Sequence, residues 1–310
     1  MDNDKTIVTT ADKNFLWGVY LLIASLRYHN ISVGVHVLGR GFTEADKALL
    51  TQFDNVKIFE ISDRRALNLL KPEAIFTADS EYIAWIDADC IAVGDITKYL
   101  AGPGESFQIR FRLKDEVAMV YQTHYKVGDT YGSIPKAVLE IWEKDVGEKD
   151  APVIKTTCVN NCFVLHKKHL GFIRKWQNQI LKIVPKDVAT IDKKSYAYHM
   201  TDESVLNSLL AFANDAPAIS EYLLDKVNDA YLAHFGESLK PWNLWQKKHL
   251  KYYDLVISII GWAQKTGYKT PPIPPSLKRE NKAVFYVLAY FNDLIHKIKS
   301  SIKYTISRMA

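Results

Sequence analysis

Cysteine is scarce: Cys90, Cys158 and Cys162 are the only three in 310 residues, too few for a disulfide framework. That scarcity favours a reducing compartment. No apolar run reaches the roughly 18 residues a spanning helix needs. The first residues, MDNDKTIVTT, lack the charged and apolar regions of a signal peptide. The expectation is therefore a cytoplasmic protein. Internal repeats and low-complexity tracts are absent as well; TPPIPPS at 270–276 is a short Pro-rich connector. With 48% hydrophobic residues, the chain is neither disordered nor collagenous and can bury a sizeable core.

Charge of one sign is missing overall but not locally. The net charge is +5, yet residues 247–310 carry 12 Lys/Arg against 3 Asp/Glu, a net of +9. The first 246 residues carry 28 against 32, a net of −4. An acidic body with a basic tail points to a different partner at each end.

Strand patterns at 5–10, 33–38, 56–61 and 82–86 alternate with helix patterns at 14–29 and 44–51. Asp63 is expected to cap a helix through Leu70 that Pro72 interrupts. This rhythm implies parallel pairing through right-handed crossovers, hence an open α/β sheet. Ligands of such sheets sit beyond the C-terminal strand ends. Further strands are expected at 107–112, 117–121, 158–165 and 230–235, and helices at 135–145, 167–183 and 202–213.

The segment YIAWIDADCIAVGDI (82–96) carries the sharpest chemical signal. In extended chain, residues i and i+2 share a face, so Asp87 and Asp89 can address one small volume. Two carboxylates there repel unless a cation lies between them, and a divalent ion with oxygen ligands is the natural occupant. A strand end with two solvated Asp is the bland alternative. A haloacid-dehalogenase phosphatase also uses D-x-D. It places the motif on the first strand and needs a later paired-acid motif, and this sequence contains no Asp-Asp pair.

Five segments in order over residues 5–245, the fifth in two pieces, resemble the family 8 glycosyltransferases. Ala11-Asp12-Lys13-Asn14-Phe15, following Thr10, is similar to that family's A-D-x-N-Y loop. Lys71 stands where the family carries a basic residue, and Asp87-Ala88-Asp89 matches its metal motif. Asn160-Asn161-Cys162-Phe163-Val164-Leu165 resembles N-A/S-G-V-L-L, with Asn161 for a small residue and Cys162 for Gly. Asp202-Glu203-Ser204-Val205-Leu206-Asn207 resembles D-Q-x-x-L-N. His234 through Trp242 resembles H-x-x-G-x-x-K-P-W, with Gly236 one place early.

The resemblance implies a GT-A fold: a Rossmann-like mixed sheet flanked by helices over 1–245, followed by a basic helical tail over 246–310. It implies transfer of a hexose from a UDP-sugar to an acceptor hydroxyl, with retention. Asp87, Asp89 and His234 would hold Mn²⁺ or Mg²⁺. Thr10, Ala11, Asp12, Asn14 and Phe15 would hold base and ribose, with Ala88 near the ribose. Lys71 and Asn160 would line the donor, and Gly236 and Lys240 would hold the diphosphate. Asp202 would orient hydroxyls. Glu203, where the family has Gln, is expected to act directly as nucleophile, charge stabiliser or base. Each residue also has a bland reading: Asp12 or Asn14 as helix caps, Cys162 as core, Glu203 as a helix-terminal acid.

The acceptor expected is a surface glycan or lipopolysaccharide. In the tail, Val284, Val287, Leu288, Phe291, Leu294, Ile295, Ile298, Ile302 and Met309 recur at helical spacing beside Lys297, Lys299, Lys303 and Arg308. That pattern suits in-plane association with an anionic membrane from its cytosolic side. Nothing in the sequence adds a nucleic-acid motif to the charge. A nucleotide-sugar-binding or scaffolding protein without turnover is the competing reading, motivated by Asn161, Cys162 and the shifted Gly236.

Overall fold

The computed structural model describes residues 4–121, 129–184, 196–222, 224, 231–236 and 239–309, with side chains as far as residue 299 except at Tyr196. The strand position Ala230, the motif residues Glu237 and Ser238, and the side chains of Ile302, Lys303, Arg308 and Met309 lie outside the described residues.

A seven-stranded mixed sheet forms the centre, in the order β10-β6-β9-β4-β1-β2-β3. β1 (Lys5–Asp12) pairs in parallel with β2 (Gly34–Arg40) and β4 (Tyr82–Ile86), and β3 (Val56–Glu60) extends the parallel half. β9 (Cys158–His166) runs antiparallel between β4 and β6 (Phe107–Phe111); β10 (Ile219–Glu221) closes that edge. The β-branched and apolar runs of the central strands are buried on both faces, as expected for a sheet sandwiched by helices. One face packs against α1 (Leu16–Tyr28), α2 (Glu44–Thr51) and α8 (Tyr253–Lys265). The other packs against α3 (Lys71–Ile75), α5 (Lys136–Val146), α6 (Leu170–Ile183) and α7 (Asp202–Phe212). The expected α/β mixed sheet with flanking helices is the observed fold.

Local expectations fail in two places. Residues 117–121 are not a strand but the end of α4 (Lys114–Tyr121). Glu116 accepts from the Leu113 backbone N–H at 2.8 Å, and Asp115 and Glu116 suit the positive end of a helix. Asp63 starts no helix; its carboxylate accepts from the Arg65 N–H at 2.8 Å and organises a loop. Pro72 does not interrupt a helix either. It sits in the first turn of α3, where a missing N–H costs nothing.

Two short ribbons complete the strands. β7 (Thr130–Tyr131) pairs with β8 (Ile134–Pro135). β5 (Cys90–Ala92) pairs antiparallel with β11 (Leu232–His234), in the register Cys90 to His234. Among the described residues no helix is long and apolar enough to cross a membrane. Among the described residues, α9 (Lys282–Met309) docks along one edge: Ala289 is buried and Tyr286 Oη donates to the Leu250 carbonyl at 3.1 Å.

Candidate functional site

The C-terminal ends of β1, β2 and β4 open into a cleft of about 370 Å³. Its walls include Thr10, Asp12, Phe15, Lys71, Asp87, Ala88 and Asp89, all singled out in the sequence. Arg40, Leu67, Asn68 and Trp85 complete it, and the sequence resemblance assigns a role to none of the four. A larger cleft of about 730 Å³ lies between α8 and residues 273–280, away from these residues.

Asp12 and Arg40 are register partners at the ends of β1 and β2, with Asp12 Oδ2 3.7 Å from the guanidinium. Asp12 also caps the turn that follows, accepting from the Asn14 N–H at 2.9 Å, so the capping reading and the cleft-lining reading hold together. Asn14 is exposed, and Ala11 is buried beneath in the core. Phe15 meets Trp242 edge-on at 5.9 Å between ring centroids. Lys240 Nζ lies 5.6 Å from the centre of the Phe15 ring.

The β5–β11 ribbon unites the acidic motif with the late histidine. Phe235 N–H donates to the Asp89 carbonyl at 2.8 Å, which seats His234 beside the carboxylates. His234 Nε2 lies 3.3 Å from Asp89 Oδ1 and 3.8 Å from Asp87 Oδ2. Lys240 bonds the other Asp89 oxygen and donates to the Phe235 carbonyl at 2.8 Å. Gly236 packs flat against the imidazole, where a Cβ would come 3.1 Å from Cε1. Asp89, Cys90 and His234 offer ligand atoms within 4.8 Å of one another. Cys90 belongs to the core and its soft sulfur suits hard divalent cations poorly, whereas two carboxylates with one imidazole leave oxygen donors in the majority. The donor set of Asp87, Asp89 and His234 therefore suits Mn²⁺ or Mg²⁺.

Burial pushes the Asp87 carboxyl up, against the pull of Lys71. Burial also opposes ionisation of Asp89, but His234 and Lys240 outweigh it and hold that carboxyl far below the usual range. The paired acids are thus driven apart in acidity by unequal cation contact.

A second layer lies under the cleft. Lys71 is buried and donates to the Asn160 carbonyl at 2.8 Å, with Asp87 at 3.3 Å and Asp202 at 3.4 Å. Burial lowers the affinity of this lysine for its proton, and Asp87, Asp202 and Glu203 more than reverse that. Asn160 donates to Asp202 at 2.7 Å, and Asn68 does the same to the other oxygen. Thr201, just before α7, has φ of +48°, a strained conformation for a β-branched residue, and its hydroxyl donates to Asp202 at 3.0 Å.

Glu203 is also buried. Arg112 bonds Oε1 at 2.5 Å, and the Asn160 backbone N–H bonds Oε2 at 3.2 Å. Burial raises its carboxyl above the ordinary value, with Arg112 resisting. Cys162 pairs with Ile86 in the sheet and is fully buried in the core, whereas Asn161 lies against His234.

No protein-family profile and no curated protein matches the chain. Solved structures do. WbbM, described as a bifunctional glycosyltransferase, has a TM-score of 0.55 and 14% identity, over 86% of this chain and 51% of that one. GlyE of Streptococcus pneumoniae has 0.51 and 12%, over 86% and 65%. An active-site mutant of LgtC has 0.51 and 13%, over 86% and 98%. The chain has a GT-A-like glycosyltransferase fold. It spans about half the length of the WbbM chain and 65% of GlyE.

Proposed function

We propose that this chain is a family 8-type glycosyltransferase that moves a hexose, with retention, from a UDP-sugar to the hydroxyl of a glycan or glycolipid acceptor. The observation that carries the reading is the β5–β11 ribbon, which brings His234 and Lys240 onto Asp87 and Asp89 from far along the chain. Gathering a D-x-D turn, a histidine and a lysine takes charges out of water at a cost, which favours a functional reason for the cluster. A bound Mn²⁺ or Mg²⁺ would supply Lewis-acid charge to the leaving diphosphate.

The chain's own residues do the rest. Asp12, Asn14 and Phe15 select base and ribose at the mouth of the cleft, with Thr10 and Ala88 in its wall and Ala11 supporting that wall from the core. Lys240, beside Gly236, meets the negative charge that develops on the diphosphate. Lys71, Asn160 and Asp202 orient the sugar. Glu203, tied at both oxygens, acts as a fixed negative charge beneath the anomeric centre rather than as a mobile base. The open face of α9 supports a peripheral place on an anionic membrane, where a glycolipid acceptor resides.

The test is release of UDP from a panel of UDP-sugars with Mn²⁺. Turnover is expected with at least one donor, and Asp89→Asn should reduce it by about 100-fold or more. Tight UDP binding with no release from any donor would favour the binding-protein alternative.

A further inference from the structure

We propose that Asn161 is a positioning residue whose side-chain amide sets which nitrogen of His234 is left bare for a divalent cation. The inference rests on the metal reading above and deepens it. Asn161 is buried on β9, at a position where the resembling family carries a small residue. Its Nδ2 lies 3.2 Å from His234 Nδ1. Its Oδ1 is buried and, among the described residues, has no hydrogen-bond partner. A buried amide oxygen left unpaired costs free energy, and such an atom calls for a use that offsets the cost.

The imidazole supplies that use. An amide N–H facing Nδ1 requires Nδ1 to be bare. The neutral ring then carries its proton on Nε2 and donates it to Asp89, 3.3 Å away. A cation shared by Asp89 and Nε2 needs the opposite tautomer. Nε2 must be bare, the proton must sit on Nδ1, and Nδ1–H must find an acceptor. Turning the Asn161 amide over presents Oδ1 to that N–H. The turn breaks no bond at Oδ1, because none is there. The proton on Nε2 leaves to solvent, one from solvent arrives on Nδ1, and the ring stays neutral. One side chain thus satisfies both tautomers, one with each of its faces.

Two measurements test this. Ring-nitrogen NMR of the full chain, with Mg²⁺ as the added ion, should show His234 moving from an Nε2–H to an Nδ1–H tautomer. A ring that keeps its proton on Nε2 with the ion bound would overturn the proposal. Calorimetric titration with Mn²⁺ supplies the second. Asn161→Leu, similar in shape but without an acceptor, should weaken binding about 10–100-fold. Asn161→Asp keeps an acceptor for Nδ1–H and should stay within about threefold of the wild type. A purely structural role predicts the reverse order, because a buried carboxylate disturbs packing more than leucine does. Equal Mn²⁺ binding by wild type and both variants would sink this inference while leaving the metal reading intact. No Mn²⁺ binding by the wild type would sink both.

Discussion

Glu203 stands under the cleft as a buried acid whose charge is only partly compensated. Its folded-state pKa is raised, so the folded chain holds that proton more tightly than the unfolded chain does. The stability tied to this group is therefore fully present below the ordinary value of 4.5 and is lost as pH rises through the raised folded value. In Glu203→Gln this dependence is absent. Urea melts at a series of pH values should show the wild type losing stability relative to Glu203→Gln as pH climbs from the ordinary value to the raised one. The loss should be about 1.4 kcal/mol for each pH unit in that interval. A wild type that gained on the variant with rising pH would mean that Arg112 dominates over burial. Arg112→Met removes the main partner of Glu203 and should cost about 3–5 kcal/mol at neutral pH. Asp87 and Lys71 lie in the same neighbourhood, and Lys71 owes part of its raised pKa to Glu203, so the comparison reads Glu203 together with its effect on that lysine.

At the scale of elements, α1 approaches the Asp87-Ala88-Asp89 turn closely, against the wall of the cleft. Gly18 makes it possible: a Cβ there would lie 2.6 Å from the Ala88 carbonyl and 2.7 Å from the Trp242 ring. Helix propensity alone favours alanine by about 1 kcal/mol. The clash opposes it with about 1–3 kcal/mol of overpacking, so Gly18→Ala should lower the melting temperature and weaken UDP binding. Gly261 in α8 is the control, since nothing lies within 4 Å of its Cβ position. Gly261→Ala should raise stability by about 0.5–1 kcal/mol. If both alanine variants move stability in the same direction, the steric account of Gly18 is wrong. These contacts also explain what the sequence made legible. The apolar, β-branched runs of β1 to β4 announce buried parallel strands, and the i, i+2 acids announce their own shared face. Residues 117–121 misled because a five-residue apolar run fits a strand or a helix turn, and the acids at 115 and 116 decide it. Arg112 meets Glu203 across 91 positions, and Asn68 meets Asp202 across 134. Partners that only the folded sheet makes adjacent leave no local pattern.

Across the whole molecule, the charge asymmetry acquires a geometry. α9 is held to the body by Tyr286, by Lys282 on Asp254 at 2.7 Å, and by Lys247 3.7 Å from Asp293. Its other side presents Val284, Val287, Leu288, Phe291, Leu294 and Ile298, each 40–69% exposed. That spacing forms one continuous apolar stripe, with Lys297 and Lys299 exposed beside it. Packing of this helix on the body, with only a lysine face in water, accounts for one edge but not for the stripe. Burying each large apolar side chain contributes about 1.5–3 kcal/mol, and each lysine near an anionic surface about 1 kcal/mol. On the proposed peripheral reading, that sum would drive in-plane binding to anionic lipid. Co-sedimentation should show association with vesicles containing phosphatidylglycerol, weakened by salt and much weaker with purely zwitterionic vesicles. Replacing Val287, Phe291 and Leu294 together by serine should reduce that association about 10-fold or more. UDP release from the soluble donor should stay unchanged, because none of the three touches the cleft. Equal vesicle binding by the triple variant would refute the membrane role of the stripe. A wild-type dimer that the same variant converts to monomer would assign the stripe to a second copy of the chain instead.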